Sequence, residues 1–446
     1  MKNRSLIIVY ILCIWFVISF VTNLIGPLMP VMIQDYQLSL ALAGFLPFSF
    51  FLAYGLVSIP AGVMVERFGP KPTLLAAFAL NLLGSLAIAA FPYYLVVIGA
   101  LFVIGVGMAM LQVVINPLMR TAGGEAHFAF FSVMGQLSFG FASFLSPLIF
   151  SALMQQLAAG ASSDGGFLVT FARLMPGGLP WVSFYWAFVA VFVLVLAITR
   201  TMEIPPIELK NEERAGTREV YLKLLRDKHA RLFFLGIVAY VGTEQSLANW
   251  MSQFLSAYHG FSPTVEGAQA VASFWGLMSL GCLLGLLLLK LLDARAVLGI
   301  FSTLAIVCIS LALFGAGDIA LLAFPAAGFF LSIMFSVIFS LALNSIPRHH
   351  GALSGILCTG ILGGALVPFL VGILGDSVGL RAALTVLFVT VGYILGISFW
   401  ANPLIRNETT SFTRLMRAAR QRAGHSRRTG QAVTGQADRR GLTREG

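Results

Sequence analysis

Charge is scarce in this chain, and acid scarcer still. Of 446 residues, 10% are charged, with 18 Asp and Glu against 28 Lys and Arg. A soluble globular domain carries about 25% charged residues, so a water-soluble fold is excluded. Cysteine is also rare. The four, Cys13, Cys282, Cys308 and Cys358, lie inside apolar stretches with no exposed pair and no metal-ligand spacing. They exclude a disulfide framework and read as small apolar fillers. No Gly-Lys dipeptide occurs, hence no phosphate-binding P-loop, and ATP-driven pumping within this chain is excluded. No Lys or Arg sits deep in an apolar stretch, which argues against an anionic ligand needing a counter-charge. Clustered acids or histidines are missing there too, since His127 and His349-His350 lie only at the edges. A membrane enzyme is therefore disfavoured.

What fills the space is apolar. Hydrophobic residues make up 58% of the chain, with 38 Phe, 45 Gly and 18 Pro, and the mean hydropathy is +0.91. Gly and Pro are commoner in membrane helices than in soluble ones. Runs of about 20 apolar residues cross ~30 Å of hydrocarbon, and twelve are predicted. They cover 6–33, 39–65, 72–91, 94–119, 127–156, 179–199, 231–256, 266–292, 295–316, 319–343, 351–375 and 379–403. The first is too long for a signal peptide and carries Asn23, Gly26, Pro27 and Pro30, so it reads as a retained span. Counted from a cytoplasmic N-terminus, 26 of the 28 Lys and Arg fall on one side, and only Arg173 and Arg381 on the other. Basic cytoplasmic loops orient spanning helices, so both termini are expected in the cytoplasm, with the bacterial inner membrane as the location.

The net charge of +10 does not point to nucleic acid. From Arg406 to Gly446 there are ten Arg and three acids, which is +7 in a disorder-prone composition. Anionic membrane lipid is the expected partner of such a juxtamembrane segment.

The organisation is bipartite. An N-terminal half of six spans (1–200) precedes a charged central loop (201–230), a C-terminal half of six spans (231–405) and the basic tail (406–446). The halves echo one another. Met110-Leu-Gln-Val-Val-Ile in the fourth span matches Met334-Phe-Ser-Val-Ile-Phe in the tenth, setting Gln112 opposite Ser336. The fifth and eleventh spans are both Gly-rich and end near a proline, Pro147 and Pro368. Two six-helix halves related by an axis along the membrane normal resemble the plan of the major facilitator transporters. Gly62-Val-Met-Val-Glu66-Arg67-Phe-Gly69-Pro-Lys71 resembles that superfamily's signature loop between the second and third helices. The resemblance implies a conformational role for Gly62, Glu66, Arg67, Gly69 and Lys71, whose charges would latch the halves in one state.

Glu244 is the one acid deep in a span, and membrane acids mark function more often than packing. Gln245, Asn249 and Gln253 follow at four-residue spacing and form a polar stripe beside it. Asn23, Gln112, Asn116 and Gln136 are amides in otherwise apolar spans of the first half. Amides both donate and accept hydrogen bonds, which suits the hydroxyls of an uncharged polyol. Trp275, Trp250 and Tyr185 are candidates to stack on a sugar face. The competing reading of each amide is a tie between helices, and of each aromatic, core or lipid packing.

Several segments resemble the fucose:proton symporter family, particularly its glucose/galactose and N-acetylglucosamine branch. They are Phe20 to Pro30, Leu111 to Pro117, Tyr240-Val-Gly-Thr-Glu244, Met334 to Ala342 and Pro368 to Asp376. The chain departs from the family at Ile25-Gly26, where members carry Asn-Asp, and at Gly281-Cys282, where they carry Gly-Arg. Met134 and Leu137 replace amides of the fifth helix, with only Gln136 nearby. The resemblance implies an all-α membrane protein of twelve transmembrane helices that moves a neutral monosaccharide by alternating access. Substrate binding would fall to Asn23, Gln112, Asn116, Gln136, Gln245, Asn249, Trp275 and Ser336. Coupling to H+ or Na+ would fall to Glu244, which matches a family Glu. No cofactor, metal or nucleic acid is implied, and a monomer is expected. The alternatives are transport of another small organic molecule in either direction, or uncoupled facilitation.

Overall fold

The computed structural model describes residues 4–123, 128–158, 179–206, 218–346 and 350–404. Among them there is no strand, and twelve long helices account for the architecture. They are α1 (Arg4–Tyr36), α2 (Leu40–Phe68), α3 (Pro70–Ala90), α4 (Tyr94–Gly123), α5 (Phe128–Ala158) and α6 (Val182–Thr201). Then follow α7 (Lys228–His259), α8 (Ala268–Leu291), α9 (Ala294–Phe314), α10 (Gly317–Ser345), α11 (His350–Val378) and α12 (Leu380–Trp400). A wide helical turn, Pro263–Gly267, leads into α8, and a short helix, Arg218–Arg226, precedes α7. The central loop at 207–217 and the tail from 405 lie outside the described residues.

Eleven helical stretches are apolar and long enough to cross a membrane. The one of the twelve that fails this measure is α7, although it is 32 residues long. Thr243, Glu244, Gln245, Ser246, Asn249, Ser252 and Gln253 dilute its hydropathy. Most of those side chains are buried in protein rather than turned to lipid, which is where a spanning helix can hold them. Two apolar cores form, one drawn mainly from α1 to α6 and the other mainly from α7 to α12. The protein is thus a multi-pass membrane protein of two six-helix bundles.

Three helices break near mid-depth. The regular winding of α1 is interrupted at Leu24, that of α10 at Ser332 and Ile333, and α11 tightens over Gly360–Leu362. Broken backbone is tolerated within a membrane only where protein or a cavity receives it, and such breaks mark the binding level of transporters.

The basic residues do local work at helix ends. Carbonyls in the last turn of a helix lack partners and carry partial negative charge. Arg4 donates to the carbonyls of Ala122 and Gly123 at the end of α4. Lys71 Nζ donates to those of Arg200 (2.9 Å) and Met202 (2.8 Å) at the end of α6. Arg295 reaches the Ala401 carbonyl (3.1 Å) just past α12. All three helices end on the same, basic face.

On the opposite face the two bundles touch. Phe369 of α11 packs between Phe45 and Phe48 of α2, with ring centroids 4.5 and 4.9 Å away. Gly26 of α1 lies so close to α7 that an added Cβ would stand 2.5 Å from the Ala248 carbonyl oxygen. Nearer the middle of the helices, Gly140 of α5 abuts the Ser279 side chain of α8. Small residues allow this approach, as expected where apolar helices pack within lipid.

Candidate functional site

The polar centre is built on the α7–α8 hairpin. Ser252 Oγ donates to the Pro263 carbonyl (3.0 Å), and its side chain fills the space over Gly267. This antiparallel register brings Trp275 level with Glu244, near the middle of both helices. Glu244 is half-buried, and Tyr240, one turn earlier, donates its hydroxyl to Oε1 at 3.0 Å. The Tyr240 ring in turn meets Phe335 of α10 at 5.9 Å. On α8, Cys282 donates its thiol to the Ser332 carbonyl (3.2 Å), the carbonyl freed where α10 breaks. No Lys or Arg among the described residues forms an ion pair with Glu244, whereas Asp293 pairs with Arg295 at the basic face.

Asn249 and Trp275 are each 3% exposed, and Asn249 Nδ2 and Trp275 Nε1 find no acceptor among the described residues. A buried donor left unmade costs about 1–3 kcal/mol, so two such donors on adjacent helices ask for a ligand that supplies acceptors. Gln245, 6% exposed, completes the group from α7, with its aliphatic stem against Gly364 of α11.

The other expected residues fare differently. Gln112 is half-buried near the middle of α4, and the side chain of Asn116 lies outside the described residues. Asn23 is buried, but its amide nitrogen already donates to the Ser19 carbonyl and to Ser143 Oγ, both at 2.9 Å. It ties α1 to α5. Gln136 and Ser336 are exposed, on the parts of α5 and α10 nearer the basic face. The two further aromatics are core. Trp250 is fully buried and donates to the Pro368 carbonyl (3.0 Å), and Tyr185 packs edge-on against Trp181 and Phe188.

In the signature loop, Gly69 has φ 84° and lets α3 start directly after α2. Gly62 is open, Glu66 and Arg67 are exposed, and Lys71 binds the end of α6 within its own bundle. Tyr240 and Ser143 escaped the sequence reading. The spacing of Tyr240 from Glu244, one helical turn, was the available signal for the first.

The comparisons with known proteins agree with this architecture. The family model described as Major Facilitator Superfamily matches residues 11–361. A glucose/galactose transporter of Brucella abortus is 29% identical over 402 residues, spanning 88% of this chain and 93% of its own length. The L-fucose-proton symporter of Escherichia coli is 23% identical over 401 residues, 85% of this chain and 89% of that protein. Its crystal structure in the outward conformation superposes with a TM-score of 0.64 at 19% identity, over 90% of this chain and 99% of that one. A bacterial homologue of the human lysosomal transporter Spinster, inward-facing and occupied, gives 0.72 at 16% identity, over 90% and 97%. With its twelve helices in two bundles and a family match over most of its length, this chain belongs to the Major Facilitator Superfamily.

Proposed function

We propose that the protein imports a neutral hexose or hexose derivative across the bacterial inner membrane by alternating access, with the basic face in the cytoplasm. The observation that carries the reading is the pair of buried donors, Asn249 Nδ2 and Trp275 Nε1, without acceptors among the described residues. Sugar hydroxyls accept hydrogen bonds without demanding a counter-charge, and an indole face suits the apolar side of a pyranose ring. The relatives' names, glucose/galactose transporter and L-fucose-proton symporter, support the same substrate class.

Glu244 carries the coupling proton in this reading. A carboxyl at mid-membrane marks function more often than packing, and access to water from alternate sides in the cycle would let it take up and release the coupled proton. Tyr240 holds it in place. Gly26 supports this assignment, because the position has no room for the acid that the fucose symporter family carries in its first helix. Signature-loop charges act at the cytoplasmic face, and the chain works as a monomer among lipids.

Counterflow in proteoliposomes tests the proposal. Liposomes preloaded with unlabelled glucose, galactose, fucose or N-acetylglucosamine are offered the labelled sugar outside. Transient accumulation of at least one label above empty liposomes is expected. Absence of counterflow for all of them would overturn the hexose assignment.

A further inference from the structure

The spacing of the signature loop occurs twice. Gly62-x-x-x-Glu66-x-x-Gly69-x-Lys71 closes α2, and Gly372-x-x-x-Asp376-x-x-Gly379-x-Arg381 closes α11 on the opposite face. The backbone repeats as well. Gly69 and Gly379 both adopt φ 84°, and in both cases the next helix begins at the following residue. This conformation is costly for any residue with a Cβ.

The basic member of each copy is anchored in its own bundle. Lys71 holds the end of α6. The backbone N–H of Arg381 donates to the Tyr258 hydroxyl of α7 (3.1 Å), and its guanidinium lies 4.6 Å from the Tyr258 ring and 5.7 Å from that of Phe254. The acid of the second copy points the other way, across the interface between bundles. Asp376 Oδ1 accepts from the N–H of Leu40 (2.8 Å), and Oδ2 from that of Ala41 (2.9 Å). These are the first two residues of α2, where N–H groups lack helical partners and the helix end is positive. The glycines make the contact possible. Gly372 rests on the Leu40 carbonyl, Gly375 on the Leu40 side chain, and Gly44 on the Phe369 backbone.

We propose that Asp376 is the latch of the outer gate, a second copy of the signature loop working on the face opposite the first. It holds the two bundles together on the non-basic side while the protein is closed there, and substrate entry requires it to let go of α2. Separating the bundles leaves a carboxylate and two N–H groups to water, and closing them restores two charge-assisted hydrogen bonds. Asp376 therefore sets the balance between outward-open and outward-closed states without touching the substrate. The placement of this face outside rests on the orientation proposed above; the latch itself does not depend on which sugar is carried.

Spin labels at Tyr93→Cys and Ala316→Cys read the gate. They sit in the α3–α4 and α9–α10 turns of that face, one in each bundle and away from Asp376. The full chain is reconstituted in lipid, with the four native cysteines replaced by alanine. Asp376→Ala should raise the ratio of long to short inter-label distances by about five- to 150-fold, the range expected for two net hydrogen bonds. Ala41→Pro removes one donor from the other side, at a first-turn position where proline is tolerated, and should shift the ratio the same way by less. Asp376→Asn, which keeps an acceptor but not the charge, should fall between them. An unchanged distance distribution in the Asp376 and Ala41 variants would overturn the latch. A lowered melting temperature without the longer distance would overturn it too, because it would leave Asp376 a purely structural cap. Hexose counterflow in the background protein separates this result from the substrate assignment.

Discussion

At the residue scale, the informative atoms are those without partners. Asn249 Nδ2 and Trp275 Nε1 are buried donors facing no acceptor among the described residues, whereas Asn23, of the same chemical type, has its nitrogen occupied by α5. Asn249→Ala and Trp275→Phe should each raise the KM for the transported sugar by about two- to tenfold, the effect of one lost hydrogen bond, in initial-rate uptake. Trp275→Phe keeps the aromatic face, so a KM unchanged by it would assign the indole to stacking alone. Glu244 makes a sharper test. Glu244→Gln preserves the shape and the Tyr240 contact but cannot ionise. It should retain exchange while losing accumulation against a gradient, read as the ratio of labelled sugar inside to outside. Accumulation that survives the substitution would make the protein a facilitator, or one coupled at another site.

At the scale of elements, the decisive feature is how near α1 and α7 come. Gly26 lies against the Ala248 carbonyl, a backbone atom that cannot rotate away. Gly26→Ala should therefore cost about 1–3 kcal/mol, the usual range for overpacking a close contact. The strain is relieved by separating the bundles on that face, so the variant should favour the outward-open state. Thermal unfolding and the Tyr93–Ala316 label pair together measure both effects. Wild-type behaviour in each would show that the helices part easily at this point. The same closeness explains why the polar stripe of α7 is sheltered. Gly242 and Gly364 let α7 and α11 approach until Val367 and Gln245 fill the gaps, and a helix too polar for lipid is covered by its neighbours.

For the whole molecule, the charge count sets the expected orientation. Cysteines at Ser162 and Ser262 should react with an impermeant thiol reagent added outside intact cells, and one at Thr217 should not. Ser162 and Thr217 lie outside the described residues, so this expectation stands on the distribution of 26 and 2 basic residues in the sequence. The reverse labelling pattern would invert the topology. Structurally, the basic face has a second logic beside membrane potential. Arg4, Lys71 and Arg295 neutralise the carbonyl ends of α4, α6 and α12, so residues expected to orient the chain also cap the helices that end there.

Hydropathy and charge placement are local, one-dimensional properties, and they sufficed for the number of crossings and their order, while short motifs in five helices and the second loop carried the family. Even α7, which does not reach the apolarity of the other eleven, was legible as one of the twelve runs. Glu244, Gln245, Asn249 and Trp275 were legible as polar or aromatic residues near mid-span. Which of them has a free donor was not, because that depends on neighbours distant in sequence: Ser143 takes up Asn23, and Pro368 takes up Trp250. The outer contact of Asp376 with Leu40 and Ala41 joins residues more than 330 positions apart. The repeated glycine–acid–glycine–base spacing was present in the sequence, but only the packing of α11 against α2 revealed what its acid holds. Sequence patterns determine which helices enter the membrane and which way they run; partners for their polar atoms are decided when the two bundles meet.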